Sequence, residues 1–190
     1  MSTSADDLRA IALAEFATAG YAATSLHRIA ELAGLSKSSV LYHYSSKETL
    51  LEAAVAPAID RMTAILDELA SGPFTPARRS AFLDEFVDFI LQYRREVNLF
   101  INQGPSLVDV PVIDRANEVV YRLAEHFAAT TGSIEEKMRF GIALGGAAYT
   151  LCSQDEFGFA LPIDETRAAL VTILTELLAP IAVAGLVNQE

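Results

Sequence analysis

Apolar residues in this chain recur three and four apart almost from end to end, and that spacing decides the fold class. Leu8, Ile11, Ala12 and Phe16 share one face of a first helix, and Leu26, Ile29, Ala30 and Ala33 share one of a second. Longer stripes follow: Leu51, Val55, Ala58, Met62, Ile65, Leu66 and Leu69, then Phe82, Phe86, Phe89, Ile90 and Tyr93, then Ile113, Ala116, Val120, Leu123 and Phe127. No window alternates with period two between hairpin signals, so no strand is expected. The stops agree with the stripes. Gly20, Gly34, Gly72-Pro73, Gly104-Pro105 and Gly132 each follow a periodic run. Ser45/Glu48 and Ser133/Glu136 stand at capping-box spacing, and Thr75-Pro76 reads as N-cap and first helical residue. Pro57 falls inside the fourth stripe, where it removes one backbone hydrogen bond and predicts a kink. A loop up to Pro111, a connector over 157–162 and a last helix over 164–184, disturbed at Pro180, complete an all-α chain of about nine helices.

Composition narrows the function classes. Of 190 residues, 52% are hydrophobic and 21% charged, which supplies a packed core and excludes a disordered chain. Cys152 is the single cysteine, so a disulfide framework and a cysteine zinc cluster are both excluded. Histidines at 27, 43 and 126 are too scattered for a metal site, and no cofactor is expected. His126 beside Glu125 lacks a nucleophile or carboxylate partner and reads as a helix-surface residue; no enzyme activity is expected. The first seven residues lack the features of a signal peptide. The longest uncharged run, 140–154, is 15 residues, short of the ~18–20 needed to span a bilayer. A cytoplasmic protein without a membrane partner is expected.

Charge is unevenly spread. The net charge is −11, yet residues 1–50 hold four basic groups (Arg9, Arg28, Lys37, Lys47) against five acidic ones. A near-neutral head on an acidic body suggests two parts with different tasks, at 1–50 and 51–190. Between Thr24 and Lys47, a helix over 25–33 meets a short second helix over 36–44 across Gly34-Leu35. So tight a turn requires positive φ after the first helix, which glycine adopts without Cβ strain, and the result is helix-turn-helix spacing. On the second helix Ser38, Ser39, Leu41, Tyr42 and His43 project outward, while Val40 and Tyr44 point to the core. Ser38 and Ser39 suit base edges and Leu41 a thymine methyl. Tyr42, His43, Lys37, Lys47 and the helix starts at Ser25 and Ser46 suit phosphates. The turn alone is equally compatible with a plain αα-corner. The short polar helix flanked by Lys37 and Lys47 favours double-stranded DNA.

The run Ala14-Glu15-Phe16, Gly20-Tyr21, Thr24-Ser25, Ile29-Ala30, Ala33 to Tyr44, Lys47-Glu48 and Leu50 resembles the amino-terminal domain of the TetR family of bacterial transcriptional repressors. The resemblance implies a homodimer that places two recognition helices in successive major grooves of a palindromic operator. It also implies a small-molecule effector bound in the carboxy-terminal domain, which changes their separation. Carried over, the DNA-binding set is Ser25, Arg28, Ser36, Lys37, Ser38, Ser39, Leu41, Tyr42, His43 and Lys47, with Lys47 on a phosphate. Leu41 sits where the family frequently has an aromatic, and Tyr44 replaces a common Phe.

The body supplies two further candidate sites. Phe82, Phe86, Phe89, Tyr93, Tyr121, Phe127 and Tyr149 suit either plain core packing or the lining of an effector cavity, with Asn102 and Gln103 as orienting polar groups. Gly141, Gly145, Ala148 and Cys152 put small residues along one side of the eighth helix. Leu170, Leu174, Leu177 and Ile181 line the ninth, which is apolar around more than half its circumference. They suit either a glycine-softened buried helix within the monomer or a dimer interface, and the resemblance, which implies a four-helix dimer interface here, favours the interface. The leading expectation is therefore a ligand-responsive homodimeric repressor. The alternative is a helical ligand-binding or scaffold protein that does not bind DNA.

Overall fold

The computed structural model describes residues 5–104, 107, 110–153 and 162–179. Among the described residues there are nine α-helices and no strand: α1 (Ala5–Ala19), α2 (Leu26–Leu32), α3 (Lys37–His43), α4 (Lys47–Ala70), α5 (Pro76–Gln92), α6 (Arg94–Gln103), α7 (Pro111–Thr130), α8 (Ile134–Cys152) and α9 (Ile163–Leu178). The punctuation is as expected in most places. Gly20 and Gly34 carry φ of +90° and +66°, the left-handed region that needs glycine. Thr75 Oγ1 accepts from the Arg78 amide with Pro76 opening α5, and Ser133 with Glu136 forms a full capping box at the start of α8. One cap is shifted. The α4 start is held by Ser46 and Thr49, each amide donating to the other's hydroxyl at 3.0 and 3.1 Å, rather than by Ser45 and Glu48. The expected disturbance at Pro180 and the helix beyond Ala179 lie outside the described residues.

The chain forms two compact units that are not contiguous in sequence. The first comprises Met1–Ile59 and Arg95–Ala116, the second Asp60–Arg94 and Asn117–Glu190. The head expected at 1–50 thus also takes in the start of α4, most of α6 and the start of α7.

In the first unit Leu8, Phe16, Ile29, Val40, Leu50 and Leu99 are fully or almost fully buried. The small Ala30 lets α2 and α3 approach, and the two pack against each other.

In the second unit α9 packs on α5 and α8. Arg167 holds it to α5 through a two-point pairing with Asp88 (2.6 and 2.8 Å) and a contact to Asp84 at 3.3 Å. That guanidinium hydrogen bond holds the Asp88 carboxyl below its ordinary pKa. Carbonyls left open at the end of α9 are taken by arginines: Arg79 donates to Leu178 O at 2.9 Å and Arg139 to Leu177 O at 3.3 Å.

Candidate nucleic-acid interface

The head places a short helix at the surface by capping both its ends. Ser36 Oγ accepts from the Ser39 amide at 3.1 Å, and the Tyr44 amide donates to Val40 O at 2.9 Å. Val40, fully buried, fixes the rotation of α3, and the Tyr44 hydroxyl donates to Ala5 O at 3.2 Å. Apart from Ser39, the rest of the helix is turned outward. Lys37, Ser38, Leu41, Tyr42 and His43 are exposed, Tyr42 by 87%. Its ring meets that of the neighbouring, also exposed His43 edge-on at 5.4 Å. The Ser36 hydroxyl lies 2.9 Å from that of Ser38 and 2.8 Å from that of Ser39, so the helix start is a cluster of hydroxyls. Ser39 is half-buried beneath it.

Two basic residues of the expected DNA-binding set are engaged within the protein. Arg28 Nε pairs with Glu15 at 3.2 Å. Lys47 is half-buried; its ammonium donates to Tyr21 O at 2.8 Å and Thr24 O at 3.0 Å and lies 4.1 Å from the Tyr21 ring centroid. Two of its three N–H groups therefore hold the α1–α2 turn. Ser25 caps α2 through the Arg28 amide. The Tyr21 phenol is pushed up to about 12, first by burial and then by the negative charge of Glu48, and stays neutral.

Residues 8–54 match the family model described as bacterial regulatory proteins, tetR family. The amino-terminal segment is thereby of the TetR type. No curated protein sequence matches it. Its fold is shared by solved structures. The ketosteroid transcriptional regulator KstR2 of Mycobacterium tuberculosis is 16% identical, with a TM-score of 0.67 and coverage of 96% of this chain and 97% of that one. A TetR/AcrR-family regulator from Thermobifida fusca is 25% identical, with a TM-score of 0.55 over 97% and 98%. A TetR-family regulator from Bordetella parapertussis is 18% identical, with a TM-score of 0.65 over 90% and 93%. The matched segment contains the exposed α3.

The body of the chain places its candidate residues less uniformly. Phe82, Phe86 and Phe127 are buried against one another and against Phe74 and Phe140, and Phe89 is buried beside Tyr93. Phe127 stacks on Phe140 at 3.8 Å and meets Phe82 edge-on at 5.5 Å; Phe82 stacks on Phe86 at 5.7 Å. An effector entering here must part rings that already satisfy each other. Tyr93, half-buried, packs on Phe89 at 5.4 Å. Tyr121 and Tyr149 are 69% and 50% exposed and do not line that cluster, and Asn102 is exposed. Their stripes have the expected period, but α7 and α8 turn those positions outward. Gln103 is bound to the head, as described below, instead of orienting a ligand.

His126 is a second correction. It is half-buried, edge-on to Phe74 (5.8 Å) and Phe127 (5.5 Å), with its Nε2 buried and, among the described residues, without a hydrogen-bond partner. Burial lowers its pKa.

On α8, Gly141 and Gly145 are exposed, and a Cβ built on either meets nothing within 4 Å. Cys152 and Leu174 are corrections: both are buried in the second unit, the Cys152 thiol 3.6 Å from Arg94 O and pushed up to about 11 by burial. Ala148 and Leu170 are half-buried, Leu177 is exposed, and Ile181 lies outside the described residues. The outer face of α8 also holds residues that sequence reasoning missed. Ile134, Met138 and Ile142 are 82%, 58% and 61% exposed and stand four apart, a spacing visible in the sequence.

Proposed function

We propose that this TetR-family regulator is a homodimeric repressor that binds a palindromic operator and releases it when a small apolar or aromatic effector enters the second unit. The observation that carries the DNA-contacting part is α3. A capped helix with one buried anchor, Val40, presents Lys37, Ser38, Leu41 and Tyr42 to solvent. Side chains of that kind suit phosphates and major-groove edges, and the width of the groove admits one helix.

Self-association rests on α8. Exposed glycine in a helix costs about 1 kcal/mol relative to alanine, and Gly141, Gly145 and Gly146 have open space at their Cβ positions in the protomer. Among the described residues no atom near those positions offsets that cost, whereas close approach of a second helix would. Exposed Ile134, Met138, Ile142 and Tyr149 continue the same helix surface. The effector class rests on the phenylalanine cluster, which offers apolar faces and few polar anchors.

The test is binding of duplexes selected from a randomised pool. Enrichment of an inverted repeat, with affinity that falls steeply as salt rises, is expected. Substitution of Leu41 should change the preferred bases, not only the affinity. Equal, salt-insensitive binding to all duplexes refutes the proposal and favours a helical protein that does not read DNA.

A further inference from the structure

The end of α1 is incomplete by itself, and the residue that completes it is far away in sequence. The last carbonyls of a helix have no intrahelical donor, and the chain turns out of α1 at Gly20 with φ of +90°. Gln103, the final residue of α6, supplies what is missing. Its Nε2 donates to Phe16 O at 2.6 Å, and its Oε1 accepts from the Tyr21 amide at 2.8 Å. One planar amide thereby meets one carbonyl and one N–H on either side of Gly20, whose own Cβ position is 3.7 Å from the Gln103 oxygen. Among side chains of that length only glutamine offers both a donor and an acceptor: glutamate lacks the donor and lysine the acceptor. Buried Leu99, one turn earlier on α6, seats that helix.

The other side of the same residue is held as well. Tyr21 O accepts from Lys47 Nζ, and the same ammonium reaches Thr24 O, immediately before the Ser25 cap of α2. Tyr21 is thus fixed through its N–H by α6 and through its C=O by α4.

We propose that Gln103 is a positioning residue for DNA recognition. It caps α1 from α6 and sets the pose of the α1–α2 turn, so the presentation of α2 and α3 depends on where α6 lies. This rests on the DNA-binding reading above. The consequence is that α6 does not act on the head by bulk contact alone. It acts through two directional hydrogen bonds that are made or lost together, because both atoms belong to one rigid amide.

The experiment compares the full-length wild type with Gln103→Met and Gln103→Glu. Amide hydrogen exchange at Tyr21 and affinity for a duplex selected by the wild-type protein are measured over pH 5.5–8. Gln103→Met keeps the shape and removes both bonds; Tyr21 exchange should rise about fivefold to tenfold, and DNA affinity should fall by at least a similar factor. Gln103→Glu keeps the acceptor, so Tyr21 stays protected, but it sets a carboxylate against Phe16 O. Its affinity should fall at pH 8 and approach that of wild type as the carboxyl gains a proton toward pH 5.5. A side chain that only fills space gives no such pH term. Equal Tyr21 exchange in wild type and Gln103→Met overturns the cap. Altered exchange with unchanged DNA affinity in both variants overturns the positioning role. Absence of salt-sensitive DNA binding by the wild type overturns the reading beneath it, while the exchange rates still decide the cap.

Discussion

Replacing Lys47 by methionine separates two roles that a basic residue at the start of α4 can play. Methionine retains an apolar stem against the Tyr21 ring and deletes the charge and the donors. If Lys47 holds the turn, the variant loses hydrogen bonds to Tyr21 O and Thr24 O and the stacking of the ammonium 4.1 Å from the ring centroid. Each charged hydrogen bond contributes about 1.5–3 kcal/mol when truncated, and the cation–π contact about 0.5–1 kcal/mol where water has access. Lys47 is half-buried, so water replaces part of this, and a net loss of about 3 kcal/mol is expected. For a chain of this size that lowers the thermal midpoint by about 6–12 °C.

DNA binding then weakens because the head is loosened, with no phosphate contact removed. The slope of log affinity against log salt should therefore stay at the wild-type value. A true phosphate contact would take about 0.9 from that slope for each one lost. Circular dichroism melting and a salt titration of a selected duplex supply both numbers. A midpoint within a degree of wild type, together with a reduced slope, would refute the turn-holding role and return Lys47 to the phosphate.

Two further perturbations follow from single residues. His126→Phe removes a buried nitrogen without a partner, so at pH 7.5 the variant should gain about 1 kcal/mol in urea unfolding. Burial lowers the His126 pKa below its unfolded value near 6.5, so below that pH the unfolded chain binds more protons and wild type loses stability that the variant keeps; an identical difference at pH 7.5 and pH 5.5 would refute this. Pro57, exposed within α4, leaves Ala53 O without its donor, and Pro57→Ala should raise the unfolding free energy by about 1–3 kcal/mol while preserving DNA affinity. A destabilised Pro57→Ala protein would show that the surroundings require the proline backbone.

Local signals were the legible part of this fold. Gly20, Gly34, Ser36, Thr75 and Ser133 each act within four residues, and the structure places each where its chemistry requires. Periodicity also identified the buried side of α5, because Phe82, Phe86 and Ile90 all face the core. What could not be read was pairing at long range. Nothing near Lys47 in sequence shows that carbonyls 23 and 26 residues earlier claim its ammonium, and nothing near Gln103 points to Phe16, 87 residues away. Rotation about a helix axis was the other loss. Tyr121 and Tyr149 have the same spacing as core aromatics, and only packing decides that they face solvent. Cys152 and Leu174 failed in the opposite sense, as small and apolar residues that serve the protomer's own core.

Gly145 offers the sharpest test of the second copy, because two forces on one methyl group have opposite signs. Among the described residues of the protomer an added Cβ meets nothing within 4 Å, so Gly145→Ala should simply improve the helix, by about 1 kcal/mol. If α8 packs on another α8 along Gly141 and Gly145, the same methyl separates two backbones and weakens the dimer. Stability of an obligate dimer depends on protomer concentration, so the two cases separate on dilution. The interface predicts a thermal midpoint that falls below wild type as the sample is diluted, and a dimer dissociation constant raised at least about tenfold, equivalent to ~1.4 kcal/mol. Gly145→Arg extends the argument by leaving an unpaired charge at a desolvated contact, which should give a monomer with weak operator binding. A Gly145→Ala midpoint above wild type at every concentration, with Gly145→Arg sedimenting as an unaltered dimer, would put the two-fold contact on another face and leave the exposed glycines of α8 without a reason.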